Sequence, residues 1–160
     1  MRSEQDTNCA IAEYGDMIRR ICMVHLKNTH DTQDIFQSVF LKYVLYDEAF
    51  ASEEHKKAWL IRITINACHD QLKDFFRTHA VSIDEAIDQA APQQEDYRHV
   101  YDAVLSLPKK YKDVIYLHYI EEYSCVEVAE ILNKKTNTVY TLLARGKQIL
   151  KEKIGDDIDE

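Results

Sequence analysis

SCVEVAEILNKKTNTVYTLLARGK, residues 124–147, decides how the C-terminal part of this 160-residue chain folds. Ser124-Cys-Val-Glu127 is a capping box, in which the serine and glutamate side chains each satisfy a backbone donor of the other. It opens a short helix that turns Val128, Ala129 and Leu132 inward. Asn133 then stands where a helix end wants a left-handed residue, a conformation asparagine tolerates better than most. A second helix follows, burying Val139, Leu143, Gly146 and Leu150 at spacings of four, three and four. Its other side presents Thr136, Asn137, Tyr140, Thr141, Arg145 and Lys147, with Lys134 and Lys135 at its start. Short polar side chains at the start of a helix reach base edges, and flanking cations hold phosphates, so the pair suits a DNA major groove. The competing reading is an ordinary helical hairpin with a solvated face.

Outward from this stretch the chain is acidic, with a net charge of −8. The charge is uneven. Residues 55–77 hold five basic and two acidic side chains, and residues 124–154 hold six and three. Two basic islands in an acidic background predict two anion-facing surfaces. An apolar fraction of 46% supports a packed core, while three Gly and two Pro leave little material for hairpins. The expectation is an all-α chain. No apolar run approaches the ~20 residues that span a bilayer, and the N-terminus lacks a signal-peptide segment, so a soluble, cytoplasmic protein without membrane insertion is expected. The four cysteines form no CxxC pair. Cys22 with His25, and Cys68 beside His69, are read as buried thiols and surface imidazoles rather than metal ligands.

Helical periodicity marks residues 8–27, with Ile11, Tyr14, Ile18, Ile21, Cys22 and Leu26 inward. Asp31 is the expected N-cap of a second helix, with Asp34 in its first turn and Ile35, Phe36, Val39, Phe40, Tyr43 and Val44 apolar. Residues 47–54 read as a loop. A third helix over 55–77 places Trp59, Leu60, Ile63, Ala67 and Leu72 on its apolar side. Residues 78–95 form a polar, acidic linker with one short helix capped by Ser82 and Glu85. A helix over 96–105 follows, and Pro108 fits the first position of the next. The segment VIYLHYIEEY, 114–123, would also suit a strand, but no partner strand is apparent, so it is assigned to helix.

DTQDIFQSVFLK at 31–42, KAWLIRITINACHD at 57–70 and LPKKYKDVIYLHYIEEYSCVEVAEILNKKTNTVYTLLARGK at 107–147 together resemble a known family. It is the sigma-70 family of RNA polymerase sigma factors, in its extracytoplasmic-function (ECF) group. The resemblance implies two small helical domains joined by a polar linker: 1–77, like region two, and 96–160, like region four with its helix-turn-helix, separated by 78–95. It implies that Asp31, Asp34, Gln37 and Leu41 contact the clamp helices of the polymerase largest subunit. Lys56, Lys57, Arg62, Asn66, Lys73 and Arg77 would line the minus-ten element, with loop 47–54 holding an unstacked base. Lys135, Thr136, Asn137, Tyr140, Thr141, Arg145 and Lys147 would face the minus-thirty-five duplex. Ser38 stands where relatives often carry a carboxylate, and Tyr140 and Leu142 where they often carry cations. Trp59 is assigned to the core, with a border on melted DNA as the alternative.

The function implied is promoter-specific initiation with core RNA polymerase, and an anti-sigma factor is a possible further partner. The alternative is a helix-turn-helix regulator that acts on operators without polymerase. A third reading is a helical adaptor whose basic islands bind acidic proteins. No phosphate-cradling glycine loop, metal-spaced ligand set or nucleophile motif is present, so neither enzyme activity nor a cofactor is expected.

Overall fold

The computed structural model describes residues 1–79 and 98–154, with side chains described over 1–74 and 102–154. Within these there is no strand, as the all-α reading requires. The chain divides into two compact units, Met1–Ala90 and Ala91–Glu160. Most of the 78–95 linker, including the expected Ser82 cap, lies outside the described residues.

The N-terminal unit packs three helices: α1 (Glu4–Leu26), α2 (Thr29–Leu45) and α3 (Glu53–His79). Its core joins Ile18, Ile21 and Cys22 of α1 to Ile35, Val39 and Tyr43 of α2 and Leu60, Ile61, Ile65 and Cys68 of α3. Each fully buried aliphatic side chain there contributes about 1.5–3 kcal/mol through removal of apolar surface from water. Ile11, Phe36 and Val44 lie at the margin, half-buried.

Three sequence-based assignments change here. Asp31 is not the N-cap of α2. Asn28 is, because Lys27 ends α1 in the left-handed region at φ 65° and leaves only Asn28 to begin the next helix. The Asn28 side chain accepts from the Asp31 N–H at 2.7 Å and donates back to its carboxylate at 2.8 Å, a reciprocal cap one turn earlier than expected. On α3 the buried stripe is Leu60, Ile61, Thr64, Ile65 and Cys68, while Trp59, Ile63, Ala67 and Leu72 are half-buried. The polar look of Thr64 concealed this, since its hydroxyl donates to the Leu60 carbonyl at 2.6 Å and enters the core satisfied. His25 is also buried rather than at the surface, its Nδ1 2.9 Å from the Ile21 carbonyl oxygen.

The C-terminal unit contains α4 (Arg98–Leu105), α5 (Lys109–Ile115), a π-helical turn (Tyr116–Ile120), α6 (Cys125–Leu132) and α7 (Thr136–Ile154). Pro108 caps α5 rather than occupying its first position; its carbonyl accepts from Tyr111 and Lys112, both at 3.0 Å. The 114–123 segment is helical as expected, but widens after Ile115, with the Glu121 N–H reaching back to the Tyr116 carbonyl. Glu122 then turns left-handed at φ 63° and lets the chain enter α6.

Both halves of the capping box form: Glu127 N–H to Ser124 Oγ at 3.2 Å, and Ser124 N–H to Glu127 Oε1 at 2.9 Å. Asn133 is left-handed at φ 56°, as its position required. Val128, Ala129 and Ile131 are buried, with Leu132 half-buried. Ser124→Ala removes one of the two reciprocal bonds and is expected to cost about 1 kcal/mol, read as a lower denaturation midpoint of the C-terminal unit.

Candidate nucleic-acid interface

Successive helical residues lie about 100° apart, so α7 can be laid out as two arcs. Val139, Leu142, Leu143, Gly146 and Leu150 are buried and fall together on one arc. Off that arc stand Asn137, Tyr140, Thr141 and Arg145, with Thr136 and Lys147 along its edge. Asn137, Thr141 and Arg145 are exposed, Thr136 and Lys147 half-buried, and Tyr140 is 56% exposed. The Thr141 hydroxyl donates to the Asn137 carbonyl at 3.1 Å. Lys135, in the turn before α7, is exposed at the end of the helix whose free N–H groups favour an anion. Asn137, Tyr140, Thr141 and Arg145 thus share one exposed face, with half-buried Thr136 and Lys147 at its edge and Lys135 at its N-terminal end. Leu142 is different: at 8% exposure it belongs to the core, so a cation there would have no phosphate to meet.

On α3, exposed Arg62, Asn66 and Lys73 share a stripe on the side away from the core. Lys56 and Lys57 are not on it. They sit half-buried in the first turn, where Lys56 pairs with Glu53 at 3.3 Å and lies 5.9 Å from the Tyr43 ring centre. The Arg77 side chain lies outside the described residues.

Loop 46–52 precedes α3, and its support is aromatic. Trp59 meets Tyr46 at 4.6 Å and Phe50 at 5.4 Å between ring centres. Half-buried Trp59 therefore joins the edge of the core to the loop. Polar contacts beneath reinforce this corner. Tyr43 Oη donates to Asp6 at 2.8 Å, and Tyr14 Oη donates to Glu53 at 2.8 Å. The Tyr43 hydrogen bond holds the Asp6 carboxyl below its ordinary 3.8, with help from Arg2 against some desolvation. The Tyr14 hydrogen bond, then Lys56, does the same for Glu53 below 4.5.

Carboxylates lowered in this way stabilise the fold above their ordinary values, and that contribution is lost as pH falls through the lowered ones. The N-terminal unit is expected to weaken between about pH 5 and 3, and Asp6→Asn with Glu53→Gln to flatten that decline in urea melts.

The third surface is on α2. Asp34, Gln37 and Leu41 are exposed along one stripe, and Asp31 is half-buried at its edge. Leu45, unremarked in the sequence, extends the stripe by one turn at 58% exposure. Its signal was present: an apolar residue four positions after Leu41, off the buried arc.

Two family models match these units. Sigma-70 region 2 matches residues 10–78, across α1–α3, and sigma-70 region 4 matches residues 97–150, across α4–α7. The chain belongs to the sigma-70 family. It is similar to ECF RNA polymerase sigma factor SigW of Bacillus subtilis, with 29% identity covering 97% of this chain and 92% of that protein. To RNA polymerase sigma factor SigV of the same organism it is 27% identical, over 94% of this chain and 95% of that one.

Among solved structures, the sigma factor RpoE of Bartonella quintana, in complex with the anti-sigma factor NepR, has a TM-score of 0.76 at 18% identity, covering 96% of this chain and 99% of that chain. CnrH, in complex with the cytosolic domain of CnrY, gives 0.73 at 19%, covering 97% and 91%. These share the two-unit helical fold. As an ECF sigma factor, the protein works with core RNA polymerase and promoter DNA to direct promoter-specific transcription. An operator-binding regulator would leave the region 2 unit without a task. No helix among the described residues is long and apolar enough to cross a membrane.

Proposed function

We propose that the three surfaces divide the work of initiation. On α2, Asp31, Asp34, Gln37 and Leu41 dock on the polymerase clamp helices. Arg62, Asn66, Lys73 and Arg77 follow the minus-ten strand, and loop 46–52 receives an unstacked base. Extruding a base costs a few kcal/mol, which stacking and edge hydrogen bonds must return. Lys57 stays in the minus-ten set, and Lys56 also holds the start of α3 through Glu53 and the Tyr43 ring. Lys135, Thr136, Asn137, Tyr140, Thr141, Arg145 and Lys147 read the minus-thirty-five duplex.

The observation that supports this reading is the exposure of Asn137, Tyr140, Thr141 and Arg145 on the side of α7 away from its core, with Thr136 and Lys147 at the edge and Lys135 exposed in the turn before the helix. Each DNA contact alone is weak. Polymerase joins the two by raising their effective concentration, and the acidic background suppresses binding by the free factor. The factor itself makes and breaks no covalent bonds in this scheme and acts in the cytoplasm, where polymerase and promoter meet. An anti-sigma factor is a fitting regulator, by analogy with the RpoE–NepR complex.

The test is run-off transcription with purified core polymerase over a genomic promoter library; absence of initiation at every promoter defeats the proposal. Arg145→Ala is expected to lower affinity of the polymerase-bound factor for a minus-thirty-five duplex and to reduce its log–log salt slope by about 1, the signature of one lost phosphate contact. Titrations at several salt concentrations measure both.

A further inference from the structure

Arg2 precedes α1 and lies outside both matched regions, yet it makes the densest set of contacts around loop 46–52. Its backbone N–H donates to the Val44 carbonyl at 2.9 Å. Its guanidinium donates through Nε to the Tyr43 carbonyl at 3.1 Å and through Nη2 to the Glu48 carbonyl at 2.7 Å. Nη1 donates to Asp6 at 3.3 Å, and the guanidinium carbon lies 4.6 Å from the Tyr43 ring centre and 4.9 Å from that of Phe50.

These contacts have a common logic. The last turn of α2 leaves carbonyls short of intrahelical donors, with Tyr43 also accepting from the Tyr46 N–H at 3.2 Å, and the helix end favours a cation. Arg2 supplies both donors and charge there. The remaining arm of the same planar fork reaches across to the loop backbone at Glu48, and its face covers Phe50. Only arginine can donate in three directions while stacking; lysine keeps the charge but loses the fork.

We propose that Arg2 is a positioning residue for loop 46–52 and thereby sets the minus-ten base preference of the factor. It touches no DNA in this scheme. It fixes the distance between the end of α2 and Phe50, and so the conformation in which the loop meets an extruded base. The inference rests on the minus-ten role proposed above for the loop.

The test uses the full chain with core polymerase and a promoter library randomised across the minus-ten element, comparing wild type, Arg2→Ala and Arg2→Lys. Arg2→Ala is expected to leave polymerase affinity within about twofold, while enrichment of the preferred bases falls about tenfold, the scale of a lost charge-assisted hydrogen bond. Arg2→Lys restores part of it. Phe50→Ala should flatten the same preference, and the double variant should add little, because the two residues act through one loop geometry.

Unchanged base preference in Arg2→Ala overturns the proposal. So does equal loss at every sequence accompanied by weaker polymerase binding, which marks a general structural role. Should Arg2→Ala unfold the unit, a Phe50→Ala variant that folds and keeps full preference overturns it as well. Failure of the wild-type factor to initiate anywhere removes the sigma reading itself, a result distinct from any of these.

Discussion

Gly146→Leu is expected to unfold the C-terminal unit while leaving the N-terminal unit intact. Gly146 lies in the buried arc of α7 against α5, and even a single Cβ there would meet Ile115 Cγ1 at 3.2 Å and Tyr111 Cβ at 3.3 Å. Neither neighbour is a flexible side-chain end; one sits at the core side of Ile115 and the other next to the Tyr111 backbone. Alanine therefore forces a shift of a few tenths of an ångström, partly offset by its better helix propensity, and should cost about 1 kcal/mol or less. Leucine adds three further carbons with no room for them and should cost about 3 kcal/mol or more. In a unit this small that is a large share of the total stability. The chain has one tryptophan, Trp59, in the other unit. The expected signature is thus a loss of helical circular dichroism with Trp59 fluorescence unchanged. Initiation should fail at promoters that need the minus-thirty-five element, although polymerase still binds. A native dichroism spectrum and melt would overturn the prediction.

Gly146 was visible in the sequence because a glycine at core spacing in an otherwise polar helix asks for a close neighbour. The same periodicity revealed α7 almost whole, since its apolar residues fall on one arc and nothing polar intrudes. Leu142, where relatives often carry a cation, falls on that arc as well, and its burial agrees with leucine there.

On α3 the periodicity misled, because a threonine that bonds its own helix counts as polar on paper and as core in the fold. Asp31 lost the capping role to Asn28 for a local reason: a left-handed Lys27 moved the helix start three residues earlier than the first acidic signal. Arg2 had no readable signal at all. Its partners Tyr43 and Glu48 are 41 and 46 positions away, and hydrogen bonds to carbonyls leave no trace in side-chain pattern. The capping box of α6 and the apolar arc of α7 could be read in advance; long-range polar contacts could not.

Leu41→Glu is expected to separate folding from polymerase binding on the α2 surface proposed for docking. Leu41 is 60% exposed and Leu45, one turn later, 58%. One exposed leucine says little, but two on a stripe shared with Asp34 and Gln37 make an apolar strip beside acidic and amide groups. Glutamate is nearly as good a helix former as leucine, and the side chain leaves no cavity, so stability should change by less than about 0.5 kcal/mol. At an interface the same change places an unpaired charge where leucine would be desolvated. Loss of such an anchor costs about 2 kcal/mol or more, or at least thirtyfold in affinity.

The expected result is a normal melt, weak capture by core polymerase and a uniform fall in initiation across promoters. Raising the factor concentration should recover initiation, because mass action compensates for lost affinity. It should not recover the base preference lost in Arg2→Ala, where the geometry of a bound factor is altered. Wild-type affinity in Leu41→Glu would mean that polymerase docks elsewhere and that the exposed leucines serve no contact with it.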